Sequence, residues 1–181
     1  TSMNDEAAGL CQSIEAIGEA LRSARVDASL EYLAIDSLVQ TGDYACLEAN
    51  VKDWYGTSVP GTSDPDLVTL GSGCGAVEHV SEDWGRAIAV VAEGAAWSPG
   101  RRRVIVPIAD EGAWCGFGYL PYVWNAKDEK AKDLAIEVAI DNRVELSPII
   151  PFTAAPEARD KLEELAVGTG GFSVALGATA T

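Results

Sequence analysis

Apolar residues fall at Leu10, Ile14, Ile17 and Leu21, a spacing that predicts an amphipathic helix from Ala7 to Ala24. Asn4 or Asp5 suits its N-cap, and Arg22 and Arg25 suit its C-terminal end. Val26 to Ile35 reads as a strand. A second helix is expected from Asp83 to about Ala96, with Trp84, Ala87, Ile88, Val91 and Ala95 on one face. Arg103 to Asp110 is a nearly continuous apolar run, as expected of a central strand buried on both faces. Asp128 to Ile140 then reads as helix, Val144 to Ile149 as strand and Ala155 to Val167 as helix. Gly168-Thr169-Gly170-Gly171 is a stop, and Phe172 to Leu176 is a last strand. This alternation predicts an α/β fold with a doubly wound, mostly parallel sheet flanked by helices.

Two stretches break the rhythm. Gln40 to Ser81, rich in Gly, Ser, Thr, Asp and Pro, reads as a loop-rich excursion with one short strand near Asn50 to Tyr55. Gly112 to Asn125 reads as an aromatic loop. Its Trp114, Phe117, Tyr119, Tyr122 and Trp124 suit either a partner-binding surface or local packing over the end of the sheet. The 181 residues are expected to form a single domain, with the excursion at about 40–81.

Charge narrows the functional classes. With 28 acidic against 13 basic residues the chain carries -15, which repels phosphate backbones and anionic lipid. No nucleic acid is expected as a partner, and no apolar run reaches the length of a membrane span. Four scattered cysteines, Cys11, Cys46, Cys74 and Cys115, form no CxxC pair, and one histidine, His79, cannot complete a zinc cluster. They lean towards two disulfides and an oxidising compartment.

In a parallel sheet, ligands sit beyond the carboxyl ends of the strands. Asp110-Glu111-Gly112 ends the most apolar strand, and Ser81-Glu82-Asp83 precedes the second helix. Ser2, Asn4 and Asp5 precede the first helix. Hydroxyls and carboxylates from three such loops suit Mg²⁺ or Ca²⁺; equally, Ser81, Glu82 and Asp83 suit a plain helix cap.

The order of these pieces resembles a von Willebrand factor type A domain. Thr1-Ser2-Met3-Asn4-Asp5-Glu6 is similar to the tail of that family's Asp-x-Ser-x-Ser motif, with Ser2 as its last serine. Glu82 to Ile88 resembles the threonine-bearing loop and helix start, and Val104 to Gly112 the strand that delivers an aspartate. Leu165-Ala166-Val167-Gly168-Thr169-Gly170-Gly171 resembles the end of the last helix. The resemblance implies a metal-ion-dependent adhesion site with one Mg²⁺ or Ca²⁺, completed by a carboxylate of a protein ligand. Ser2 is then a direct ligand, and Glu82 and Asp110 are direct or water-mediated ligands. Asp5, Asp83 and Glu111 become supporting residues. Glu82 departs from the family, which has threonine there.

The resemblance also places the family's central first strand before Thr1. The expectation is that a separate N-terminal polypeptide or a sister subunit supplies it, that it has been lost, or that Phe172 to Thr181 fills the slot. It further suggests a Cys11–Cys115 bridge at the site face and a Cys46–Cys74 bridge closing the excursion. Three pairings remain possible from sequence.

The expected function is a non-catalytic, cation-dependent adhesion module at the cell surface, outside the cell or in the periplasm. The alternative is a structural subunit of an extracellular filament or surface assembly, joined by strand donation, with a vestigial metal site. An N-terminal-threonine hydrolase, or a self-cleaved fragment, fits less well because such enzymes are antiparallel sandwiches.

Overall fold

A computed structural model describes residues 4–35, 46–47, 49–71, 82–114 and 123–176. Two compact units, Thr1–Trp54 and Tyr55–Thr181, are taken in turn.

In the first unit, α1 spans Asn4–Ser23, so Asn4 lies inside the helix instead of capping it and Asp5 falls in its first turn. The helix gives way at Arg25, whose φ is 57°, and Val26 N–H reaches back to the Leu21 carbonyl. The strand expected over Val26 to Ile35 contracts to β1, Leu33–Ala34, paired in parallel with β2, Ala49–Asn50. Val26 and Leu30 are exposed, so nothing apolar holds the earlier residues extended. The strand expected near Asn50 to Tyr55 is replaced by a helical turn, α2 (Val51–Trp54). The Asn50 side-chain amide donates to Asp53 at 3.2 Å across that turn.

Cys11 is bonded to Cys46, with their Cα atoms 5.3 Å apart. This corrects both suggested pairings, Cys11–Cys115 and Cys46–Cys74. The bridge joins α1 to the chain just before β2, a proximity set by the fold and not by spacing. Cys74 and Cys115 lie outside the described residues.

The second unit is built on α3, Trp84–Gly94, which is buried around nearly its whole circumference. Ala89 and Val90 are as buried as the anticipated face, whereas Val91 is only half-buried. The neighbouring helix α4 (Ala126–Asp141) approaches so closely that a Cβ on Gly85 would lie 2.7 Å from the Ala131 carbonyl. Asn125 and Asp128 form a reciprocal capping box at the start of α4. The last helix, α5 (Pro156–Thr169), begins with proline at its first turn and ends at Gly170 in the left-handed conformation. Leu134 and Val138 of α4, with Leu162 and Leu165 of α5, belong to the buried core.

The strands are short and parallel. β3 (Arg103–Ile105) pairs with β4 (Val144–Leu146), and β5 (Ile149–Ile150) pairs with β6 (Val174–Ala175). A bridge between Ile108 and Ile149, with Ser147 N–H donating to Ile105 O and Ile149 N–H to Pro107 O, continues the first pairing. Pro107 and Pro148 carry no N–H, which explains why each expected strand is interrupted midway. Residues 144–150 thus bond residues 105–108 on one side and residues 174–176 on the other. With α4 and α5 as connections, this makes two successive parallel β-α-β units in a mixed α/β structure.

The expectation of a strand buried on both faces fails for its first half. Val104 and Val106 are 37% and 50% exposed, while Ala109 and Asp110 are buried.

The loop over residues 57–70 closes on itself through Val59 N–H to Val68 O and Leu70 N–H to Thr57 O. Val59, Leu67 and Leu70 anchor it inward, so this part of the polar-looking excursion has its own apolar contacts.

Candidate functional site

The carboxyl end of the β3 segment delivers Asp110, and the residues before α3 meet it there. Asp83 adopts a left-handed φ of 54°, which turns the chain immediately before the helix. Glu82 is thereby bound twice to the opposite loop: its N–H donates to Gly112 O at 3.2 Å, and its carboxylate accepts Asp110 N–H at 3.0 Å. Gly85 N–H adds a bond to Ala113 O at 3.0 Å. Glu111 contributes its carbonyl to the Trp84 indole N–H at 3.0 Å.

Asp110 is 4% exposed, and its Oδ2 accepts the Thr153 hydroxyl at 3.2 Å. Its carbonyl accepts Ala155 N–H at 3.3 Å, tying in the loop that follows β5. Glu82, Asp110 and Thr153 thus gather oxygen atoms from three loops beyond the carboxyl ends of parallel strands. Burial, reinforced by the Asp110 carboxylate, pushes the Glu82 carboxyl up to about 8. Among the described residues no lysine or arginine pairs with Glu82.

Sequence reasoning brought Glu82 and Asp110 together and missed Thr153. Its signal was a hydroxyl in the loop after the next strand on the same face. Ser2 lies outside the described residues, and Asp5 is placed only by its position in α1.

Asp83 has a different role from Glu82. Its carboxylate accepts Gly71 N–H at 3.0 Å and Arg86 Nη2 at 2.8 Å, and provides no side-chain cap to α3. Arg86 is wholly buried and also donates to the carbonyls of Thr69 (2.8 Å) and Asp66 (3.1 Å). Trp114, 7% exposed, sends its indole N–H to the same Asp66 carbonyl, while its own N–H goes to Asp128. Trp124 is half-buried, hydrogen-bonded to Glu129 at 2.8 Å, with its ring 6.2 Å from that of Trp84. Phe117, Tyr119 and Tyr122 lie outside the described residues.

The Mg²⁺ or Ca²⁺ that the family resemblance implies meets a donor set of suitable chemistry here. Two carboxylates and a hydroxyl are hard oxygen donors, and a cation would relieve the like-charge contact that raises Glu82. They are fewer than the six to eight ligands that Ca²⁺ takes. Among the described residues no group of three His, Cys, Asp or Glu side chains is placed to hold a metal.

Comparison of the chain with protein-family models, with curated proteins and with solved structures finds no match in any of the three.

Proposed function

We propose that this chain is a non-catalytic, divalent-cation-dependent protein-binding module, built on a doubly wound sheet of the von Willebrand factor type A kind. The observation that carries the reading is the convergence of Glu82, Asp110 and Thr153 where parallel strands end. Asp110 and Glu82 hold the cation directly or through water, and Thr153 orients Asp110. Glu111 shapes the rim through its backbone. A partner's carboxylate completes the coordination. The fold part of the reading is supported by the two successive parallel β-α-β units. An extracytoplasmic setting is supported by the Cys11–Cys46 bond.

The test is thermal unfolding with 5 mM Ca²⁺ or Mg²⁺ against chelator (about 2–4 kcal/mol of linkage stabilisation for a ligand far above its Kd). Asp110→Asn is expected to abolish the metal response while remaining folded. An equal response in wild type and variant, or none in wild type, overturns the reading.

A second reading, a structural subunit joined by strand donation, is favoured by one observation. Among the described residues β3 has a single strand neighbour, and Val104 on it and Val106 just beyond it are exposed. A donated strand would cover both. Under that reading the isolated chain assembles independently of metal.

A further inference from the structure

We infer that the open apolar face of the sheet in the Tyr55–Thr181 unit is covered by helix α1 of a second copy of this chain. Side chains alternate between the two faces of a strand, and residues paired across parallel strands share a face. The pairs Arg103–Val144, Ile105–Leu146 and Ile150–Ala175 define one face. There Val144, Leu146 and Ile150 are buried, and β4 packs against α4 and α5. The pairs Val104–Glu145, Ile108–Ile149 and Ile149–Val174 define the other face. It carries Val104, Val106, Ile108, Ile149, Val174 and Leu176, with Val106 50% and Leu176 45% exposed. Parallel sheets have helices over both faces. Here one face is packed and the other is open across every paired strand, a contiguous apolar patch of the kind that marks an interaction site.

Size and charge select the occupant. With strands about 4.8 Å apart and about 3.3 Å per residue, the open face measures roughly 10–14 Å each way. One helix, about 10 Å across, roofs it in two to three turns. A second sheet stacked on it would bury far less than the roughly 800 Å² per partner of a stable interface. The chain itself holds a matching helix: Leu10, Ile14, Ile17 and Leu21 run along about 16 Å of α1. No described side chain of α1 is buried, and Ile17 is 36% exposed. A two-fold exchange of α1 between copies uses the contact twice. The net charge of -15 opposes most contacts between copies. Arg101-Arg102-Arg103, the one run of three cations in the sequence, leads into β3 beside Val104, and Glu15 and Glu19, exposed on α1, complement it. A strand added at β3 would lie beside Val104 and Val106 but would not reach Val174 and Leu176 on β6 and just beyond it. The inference is independent of the cation site.

Sedimentation of the full chain in chelator, at about 0.15 M salt and over about 1–100 μM protein, reads the association. The expected result is a dimer that dissociates on dilution. Val174→Glu on the sheet and Ile17→Glu on α1 are each expected to weaken it at least about tenfold. Val167→Glu, at an exposed valine on α5, is expected to leave it unchanged. Circular dichroism checks the folds, and Val106→Glu replaces Val174→Glu if the latter unfolds. Mixing the Ile17→Glu and Val174→Glu proteins is expected to restore a heterodimer, because α1 of one still meets the intact sheet of the other. A monomer throughout the range, a dimer that survives substitution on either surface, equal loss in Val167→Glu, or no recovery on mixing overturns the proposal.

Discussion

The Glu82 carboxylate accepts the Asp110 backbone N–H at 3.0 Å, so the two acidic loops are held together by a bond that needs no cation. The contact places two carboxyl groups in one small volume, where burial and the second negative charge both favour the protonated form of Glu82. The Glu82 carboxyl therefore keeps its proton up to about pH 8.

This sets the pH dependence of stability. The Glu82 carboxyl, raised to about 8 from 4.5, binds a proton in the folded chain that the unfolded chain has released. Its contribution is fully present below pH 4.5 and is lost as pH rises through about 8. In chelator, urea unfolding from pH 5 to pH 8 is expected to lose a few kcal/mol, at about 1.4 per unit. Glu82→Gln is expected to flatten that slope. Glu129 does not interfere: burial opposes its ionisation, but hydrogen bonds from Lys132, Trp124 and Lys161 pull it down to about 2. Its contribution is lost only as pH falls towards that value.

Arg86 is the strongest test of the buried network. Removing it leaves Asp83 buried without its guanidinium and releases the carbonyls of Asp66 and Thr69. Arg86→Ala is expected to cost about 3–5 kcal/mol, the scale for breaking a buried pair. Arg86→Lys cannot reproduce the fork of donors and is expected to recover little of that. Denaturant midpoints measure both.

Gly85→Ala inserts a methyl group 2.7 Å from the Ala131 carbonyl, where backbone and not a flexible side chain must give way. The helices α3 and α4 then have to separate, and a loss of about 1–3 kcal/mol is expected. A neutral result in urea unfolding would show that the close helix contact is wrong.

The disulfide gives a direct chemical check. Non-reducing peptide mapping is expected to join the Cys11 and Cys46 peptides and to release them on reduction. With a sequence separation of 35 between the two cysteines, loop closure predicts about 3–4 kcal/mol of stabilisation in the Thr1–Trp54 unit. Reduction is expected to lower the unfolding midpoint of that unit.

The helices were legible because each carries its signal locally. Leu10, Ile14, Ile17 and Leu21 mark α1, whereas the Asn125–Asp128 capping box that opens α4 was not anticipated. The parallel β-α-β order was also legible, since α4 and α5 stand between apolar runs. Strand extent was not: Pro107 and Pro148 interrupt the ladders, and Val26 and Leu30 lack a partner surface that would keep them extended. Apolar composition cannot report whether a neighbour exists.

The sequence alone determined that acidic side chains end one strand and precede one helix, because connections in a parallel sheet emerge at defined ends. Only the tertiary structure separated the adjacent Glu82 and Asp83, turning one towards Asp110 and the other towards Arg86. A left-handed residue between loop and helix makes that division, and its effect is a rotation, not a composition. The tertiary structure likewise added Thr153 and chose Cys46 for Cys11. Both depend on contacts between segments far apart in the chain, which hydrophobic burial brings together and local patterning does not encode.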